Sequence, residues 1–346
     1  MSTTTVTERS VCSAFSSVKG PVVSPGRRRF RYEWGRKVEQ GDAMGPTWVQ
    51  ELDGEAGEWA ARGRWLDHDG HAVFVVDVPS SGPEELAPLV SLHGFPSSSI
   101  DLARVIDDLA VNRRVIACDY LGFGLSDKPD QRYTMAGCAD VVATVLQRLE
   151  VSRFSLLSHD MGDTVCGELL ARNLAGTWDV EIVDRFLTNG SIYLELAQLT
   201  AGQQFLLAMP DERGDVSIAP DAAALSASLA ATLSPNVGAA GVELMRPAAE
   251  HLVGGAGATL LPRLIRYLEE RRDNEAHFTG ALERHPSPVT VIWGVDDPIA
   301  VVSMVERFAA ARPDARVVLL DGVGHYPMME APTAFVDALL GEALRP

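Results

Sequence analysis

From about residue 60 the chain alternates short, almost wholly apolar runs rich in β-branched residues with longer stretches of helical periodicity. A strand with one face in water alternates polar and apolar residues, whereas a strand that is apolar throughout must be covered on both faces. The runs Leu89–Leu92, Val115–Cys118, Phe154–Leu157, Phe186–Thr188, Val289–Trp293 and Val317–Leu320 are of the second kind. The alternation therefore predicts an α/β fold, a mostly parallel sheet with helices on both faces. Two earlier runs, Gly63–Asp67 and Phe74–Val78, flank the turn signal Asp69-Gly70 and predict an entry hairpin.

Strand signals stop between Tyr193 and Leu282, where about ninety residues read as Ala/Leu-rich helix punctuated by Pro and Gly. Such an insertion between two strands of a parallel sheet predicts a helical cap over the C-terminal edge of the sheet, where ligands bind in open α/β folds. The expected organisation is an N-terminal extension over residues 1–58, a first core part over 59–192, the cap over 193–283 and a second core part over 284–346. The extension is expected to be largely a disordered tail, because residues 1–40 are Ser/Thr-rich and carry eight Lys or Arg against three acidic residues. A docking segment is the alternative reading of the same stretch.

The formal net charge of −17 argues against nucleic acid or an anionic membrane surface as the main partner, since both would be repelled. No run is apolar and long enough for a secretory signal or a membrane span, so a cytoplasmic protein is expected. The four cysteines, Cys12, Cys118, Cys138 and Cys166, form no CxxC pair, and three fall inside apolar elements. That pattern predicts free buried thiols, with no metal and no cofactor.

The segment most informative about chemistry is Arg153-Phe-Ser-Leu-Leu-Ser-His-Asp-Met-Gly-Asp-Thr-Val165, an apolar strand running straight into a helical pattern. A sharp strand-to-helix turn lifts one side chain above the sheet and needs small residues two positions either side of it. Ser158 and Gly162 meet that need around Asp160. A carboxylate is nucleophilic at neutral pH without a base and can displace a leaving group from an sp3 carbon, giving an alkyl ester of the enzyme. Epoxides and carbon–halogen bonds are the matching electrophiles. The competing reading is that Asp160 caps the following helix.

Two loops and a turn complete the pattern. Leu92-His-Gly-Phe-Pro-Ser97 follows a buried strand, and its turn can aim the N–H of Phe95 to join that of Met161 as an oxyanion hole. Val291-Ile-Trp-Gly-Val-Asp-Asp-Pro298 ends a strand with two carboxylates, of which the spacing from Gly294 selects Asp297 as the acid. Leu320-Asp-Gly-Val-Gly-His-Tyr-Pro327 sets His325 in a small-residue loop past the last strand. The order nucleophile, acid, histidine is thereby complete. The Gly-rich loop Cys118–Pro129 lacks the Walker lysine and the GxGxxG spacing, and is read as structural.

These motifs resemble the α/β-hydrolase superfamily, in particular its epoxide hydrolase and haloalkane dehalogenase group. The likeness is greatest to mesoderm-specific transcript-like hydrolases, through Leu92-His-Gly-Phe-Pro-Ser-Ser-Ser99, Leu156-Leu-Ser-His-Asp160 with Gly162-Asp163, and Asn189-Gly190. The resemblance covers roughly residues 60–345 and implies the α/β-hydrolase fold and an aspartate nucleophile. Haloalkane dehalogenases of this group carry Trp after the nucleophile and fluoroacetate dehalogenases carry Arg, whereas this chain has Met161. Epoxide hydrolases use cap tyrosines to protonate the opening ring, and Tyr267 resembles one of them in its distance before Pro288. Leu260, Leu264 and Tyr267 form an i, i+4, i+7 stripe toward the core, which also fits a packing tyrosine. The second cap tyrosine has only Tyr193 as a counterpart, and it falls earlier than the resemblance requires.

The expected function is epoxide hydrolysis of a small neutral hydrophobic substrate by water, through Asp160, Asp297, His325 and Tyr267. The alternatives are a dehalogenase with an unusual halide site and a non-catalytic binding protein on the same fold.

Overall fold

The computed structural model describes residues 42–341. Nine strands form one sheet: β1 (Asp42–Ala43), β2 (Arg64–His68), β3 (His71–Val78), β4 (Leu89–Leu92), β5 (Val115–Cys118), β6 (Arg153–His159), β7 (Glu181–Thr188), β8 (Val289–Gly294) and β9 (Arg316–Leu320). Their spatial order is β1-β2-β3-β5-β4-β6-β7-β8-β9. The first three strands and the β3–β5 pairing are antiparallel, and every pairing from β5 onward is parallel. Asp69-Gly70 closes the β2–β3 hairpin with positive φ at both residues, as an entry hairpin requires. β4, β5 and most of β6 are buried, which is why their sequences are apolar without alternation.

The chain reverses its direction of travel across the sheet around β4, which lies between β5 and β6. A crevice opens beyond the carboxyl ends of the strands at such a switch point. The loop after β4 and the turn after β6 meet there, because Leu92 pairs in register with Ser158.

The connection from β7 to β8 contains no strand. It holds the helices Ala201–Ala208, Ala222–Ala230, Ala240–Val253, Leu261–Leu264, Tyr267–Asp273 and Glu275–Arg284. Local chemistry starts them: Thr200 and Gln203 form a reciprocal capping box, and the Asp221 carboxylate accepts from the N–H of Ala224. The stripe Leu260, Leu264, Tyr267 is buried, but Leu260 ends a 3-10 segment, and Leu264 and Tyr267 lie on two short helices broken at Ile265-Arg266. The last helix, Glu275–Arg284, packs along the core helix Met161–Leu174, close enough that a Cβ at Gly167 would lie 2.6 Å from the Phe278 carbonyl.

Residues 1–41 lie outside the described residues, so the tail expected there is not addressed. Residues 42–58, which the sequence reading assigned to the same largely disordered extension, are instead built into the fold. β1 pairs with β2, and the helix Gly54–Ala60 buries Ala56 and Trp59. The Trp59 indole donates to Ser99 Oγ, and the Ala56 carbonyl meets the ring of His251 from the connecting helices. The basic, Ser/Thr-rich composition ends near residue 40, and the tryptophans beyond it supply apolar area worth burying.

No helix among the described residues is long and apolar enough to cross a membrane. Cys118, Cys138 and Cys166 are free and buried, while Cys12 lies outside the described residues. No group of three or more His, Cys, Asp or Glu residues suited to a metal ion occurs among the described residues.

Arg185 on β7 is the strongest polar tie between sheet and connection. It is fully buried and donates to the carbonyls of Leu282, His285 and Ser287 and to Ser287 Oγ. Arg185→Met would keep much of the volume but leave the Leu282 carbonyl without this donor, while Arg312 still reaches the carbonyls of His285 and Ser287. It should lower stability by about 3 kcal/mol, given the usual value of hydrogen bonds to buried charged donors. Urea unfolding compared with the parent chain measures it.

Candidate active site

Asp160 sits between β6 and the helix Met161–Leu174, with φ 52° and ψ −118°. Such backbone is costly for a residue with a Cβ and persists only where its surroundings impose it. The neighbours leave room for little else: a Cβ at Gly162 would lie 2.2 Å from the Leu92 carbonyl, and one at Gly94 would lie 2.5 Å from the Asp160 Cβ. The Asp160 side chain does not cap the helix. It points instead toward the loops after β4 and β9.

The two carboxylate oxygens have different partners. Oδ1 accepts from the N–H of Phe95 at 2.7 Å, and Oδ2 lies 3.4 Å from His325 Nε2. The Phe95 N–H is held in place by His93. Its Nδ1 meets the Gly94 carbonyl at 3.0 Å, and its Nε2 accepts from the N–H of Tyr120 at 3.2 Å. Met161 is the first residue of its helix, and its N–H is among those with no intrahelical acceptor.

His325 is buried in the loop after β9, and its Nδ1 lies 2.7 Å from Asp297 Oδ2. Asp297 is buried, whereas its neighbour Asp296 is exposed and occupied by Ser234 Oγ. Oδ1 of Asp297 accepts from the N–H groups of Ile299 and Ala300, and Oδ2 also accepts from Asn189 Nδ2 at 2.7 Å. Asn189, at positive φ just past β7, also accepts from the N–H of Gly294. It thus pins the acid's loop to the end of β8. The sequence quoted Asn189 only as part of a resemblance, and its bridging role needed the strand order.

The site is a row of charges of alternating sign. Burial lowers the proton affinity of His325, but Asp297 and Asp160 outweigh it and push the imidazole up to about 10. Burial works against ionisation of Asp160, yet the His325 ring and the Phe95 N–H hold its carboxyl below the ordinary carboxylate range. The arrangement thus favours an imidazolium at His325 facing an ionised Asp160.

A cavity of about 300 Å3 opens onto this row. Its base is Phe95, Pro96, His325 and Tyr326 from the core loops. Its wall is largely apolar and comes from the β7–β8 connection, including Leu206, Leu225, Leu229 and Leu261. Phe205 and Ile218 at its rim are well over half exposed.

The tyrosines separate by role. Tyr267 is buried with its ring 5.7 Å from that of Phe95, and it is not among the residues lining the cavity. Tyr193 is committed elsewhere: its hydroxyl donates to Glu283 Oε1 at 2.7 Å, and the Arg307 guanidinium lies over its ring. Tyr326, which the sequence reading passed over, lines the cavity beside His325. Its only sequence signal was adjacency to the histidine. Ser158 is buried with its hydroxyl against Asp163 Oδ1 and 3.4 Å from the Phe186 carbonyl, so it serves the turn. The Gly-rich loop after β5 is tied by Asp119, which accepts from the N–H groups of Ser99 and Leu125.

Residues 87–332 match the family model for the α/β hydrolase fold. The chain belongs to this family and is a hydrolase of the α/β-hydrolase superfamily. It is 36% identical over 296 residues to the putative hydrolase LipZ of Mycobacterium tuberculosis, covering 82% of this chain and 96% of that one. It is 30% identical over 305 residues to the human mesoderm-specific transcript homolog protein, covering 82% and 86%. Among solved structures, Cfl2 of Burkholderia cenocepacia superposes with a TM-score of 0.63 at 21% identity, over 82% of this chain and 95% of that one.

The raised pKa of His325 predicts a pH dependence of stability. An unfolded histidine titrates near 6.5, so between there and about 10 the folded chain holds a proton that the unfolded chain has lost. That contribution is complete below the unfolded value and disappears as pH rises through the folded one. Urea unfolding should therefore show stability falling from neutral pH toward pH 10, with a shallower fall in His325→Gln.

Proposed function

We propose that this hydrolase opens epoxides to diols through an alkyl-enzyme ester on Asp160, needing no metal or cofactor in any step. The observation that carries the reading is a carboxylate side chain, not a hydroxyl, at the strand–helix turn, with one oxygen on the Phe95 N–H and the other facing the base. Oδ2 attacks the less hindered ring carbon; the C–Oδ2 bond forms as the ring C–O bond breaks. The leaving alkoxide takes a proton from Tyr267, whose burial keeps its hydroxyl protonated. Tyr326, buried at the base of the cavity, is the candidate second donor.

Alkylation changes the base. Esterified Asp160 is neutral, so His325 loses one of the two carboxylates that raised its pKa, and it surrenders its proton to the tyrosinate. Neutral His325, oriented by Asp297, then deprotonates a water that attacks Cγ of Asp160. The developing oxyanion is Oδ1, already against the Phe95 N–H and served by the N–H of Met161. Collapse breaks the Cγ–Oδ2 bond, His325 returns the proton to the departing diol oxygen, and the carboxylic acid left on Asp160 passes its own proton to His325, restoring the pair.

The apolar cavity wall and Met161 support a small neutral hydrophobic substrate. A neutral alkyl or aryl epoxide should be turned over faster than fluoroacetate, and the opposite ranking would sink this substrate class. Halide release from haloalkanes without epoxide turnover would favour a dehalogenase instead.

Two variants test the mechanism. His325→Gln should react once with a suitable epoxide and stall, with intact mass heavier by one substrate and the adduct mapped to Asp160; Asp160→Asn should form none at early times. An ester carried on Ser158, or no ester with a substrate that the parent turns over, would mean the nucleophile is misassigned. Tyr267→Phe should slow alkylation by about 10- to 1,000-fold while affecting ester hydrolysis less, the usual size of general-acid assistance. An unchanged pre-steady-state alkylation rate would return Tyr267 to packing.

A further inference from the structure

A second buried carboxylate and imidazole lie behind His325 and take no part in the mechanism above. His159 is the last residue of β6, and its Nε2 lies 2.8 Å from the main-chain oxygen of His325. A carbonyl only accepts, so Nε2 carries the hydrogen and Nδ1 of the neutral ring is an acceptor. That Nδ1 is buried without a hydrogen-bond partner, and it lies 3.9 Å from Asp101 Oδ2, which is also buried and without one. The other oxygen, Asp101 Oδ1, accepts from Ser97 Oγ.

Two acceptors without partners face each other in a dry interior, beyond hydrogen-bond distance at 3.9 Å, and a proton on one of them turns the contact from repulsive to attractive. The charged and titratable groups reaching the pair are Asp119 after β5, Asp160 after β6, Asp297 after β8, and His325 and Tyr326 after β9. Three of these are carboxyl groups, so a further anion at Asp101 is disfavoured, and the single imidazolium is already shared by Asp160 and Asp297.

We propose that Asp101 and His159 share one proton and act as a positioning pair, holding the His325 main chain through the His159 Nε2–H bond so that the base keeps its register between Asp160 and Asp297. The role in turnover rests on the reading of His325 as the base for ester hydrolysis. Burial favours the uncharged form of both groups, raising Asp101 to about 7 and lowering His159 to about 4, so the proton rests on Asp101 Oδ2. As pH rises through the ionisation of Asp101 the proton leaves, a negative charge faces the Nδ1 lone pair, and the ring is repelled from its place under His325. Ester hydrolysis should then fall on the alkaline side of its optimum. Asp101→Asn keeps an oxygen for Ser97 and offers Nδ2 as a donor that does not titrate, so the alkaline fall should vanish.

The first arm reads the pair without turnover. In 15N-histidine-labelled protein, with His159 assigned by comparison with His159→Gln, the Nδ1 resonance should be that of an unprotonated acceptor. It should move as pH is raised through about 7 in the parent and stay fixed in Asp101→Asn. An Nδ1 that carries the hydrogen, that never moves in the parent, or that moves equally in Asp101→Asn overturns the shared proton.

The second arm is the pH profile of ester decay in single turnover. Asp101→Asn should lose the alkaline limb, and Asp101→Leu should decay about tenfold more slowly at every pH while alkylating Asp160 at nearly the parent rate. An alkaline limb unchanged in Asp101→Asn, or an Asp101→Leu variant that slows alkylation as much as decay, overturns the positioning role. Absence of any ester in all variants would defeat the proposed function instead, and the resonance titration would still decide the shared proton.

Discussion

Holding an ionised carboxylate in a dry pocket beside a sheet edge costs several kcal/mol unless it is paired and hydrogen-bonded. Asp160 meets that condition with one backbone N–H and one imidazolium, and much of the local architecture follows from it. The imidazolium needs its own counterion, which is Asp297. Asp297 in turn is held by two backbone N–H groups and by Asn189. Each buried charge is thus acceptable only because the next is present. Removing one member leaves the others more costly than they were, so the row should behave as a unit.

The sheet makes such a row possible. Asp160, Asn189, Asp297 and His325 follow the consecutive neighbours β6, β7, β8 and β9. Parallel strands present their carboxyl ends on one edge, so four loops distant in sequence converge there without any long-range coding beyond the strand order. The same row explains how one histidine serves two half-reactions under the proposed mechanism. While Asp160 is anionic His325 remains charged, and when Asp160 is neutralised the proton affinity of His325 falls toward the range useful to a base. Substrate attachment itself then switches the histidine, and no movement of the backbone is needed.

Much of this was legible in the sequence, for physical reasons that vary by element. β4 and β5 were read with their observed limits because strands covered on both faces have no polar residues to blur the pattern. The turn at Asp160 was legible because its steric demands fall on fixed neighbours, Ser158 and Gly162. The break at Ile265-Arg266 was not, since the apolar stripe across it continues in phase. Residues 42–58 were obscured by the basic stretch before them, whose composition dominated a reading by charge. Asp101 and His159 were invisible for a different reason. They are 58 positions apart, Asp101 in the short helical turn Ser99–Leu102 and His159 at the end of β6, and neither spacing nor periodicity links them.

The connection between β7 and β8 stands in a different relation to the chemistry. Apart from Tyr267, the groups assigned to the reaction come from loops at the ends of core strands, whereas most of the cavity wall comes from the connection. The two therefore answer to different constraints. The charged row tolerates little change, because each member is buried and paired. Leu206, Leu225, Leu229 and Leu261 need only remain apolar and of suitable volume, since burial of apolar surface is non-directional. Substitutions along that wall can reshape the space above Asp160 without disturbing its ionisation, and the exposed rim at Phe205 and Ile218 is the least constrained part of all. Discrimination among neutral substrates thus depends on wall contacts worth about 1–3 kcal/mol per methylene fitted or refused, while the reaction type depends on the carboxylate at the turn.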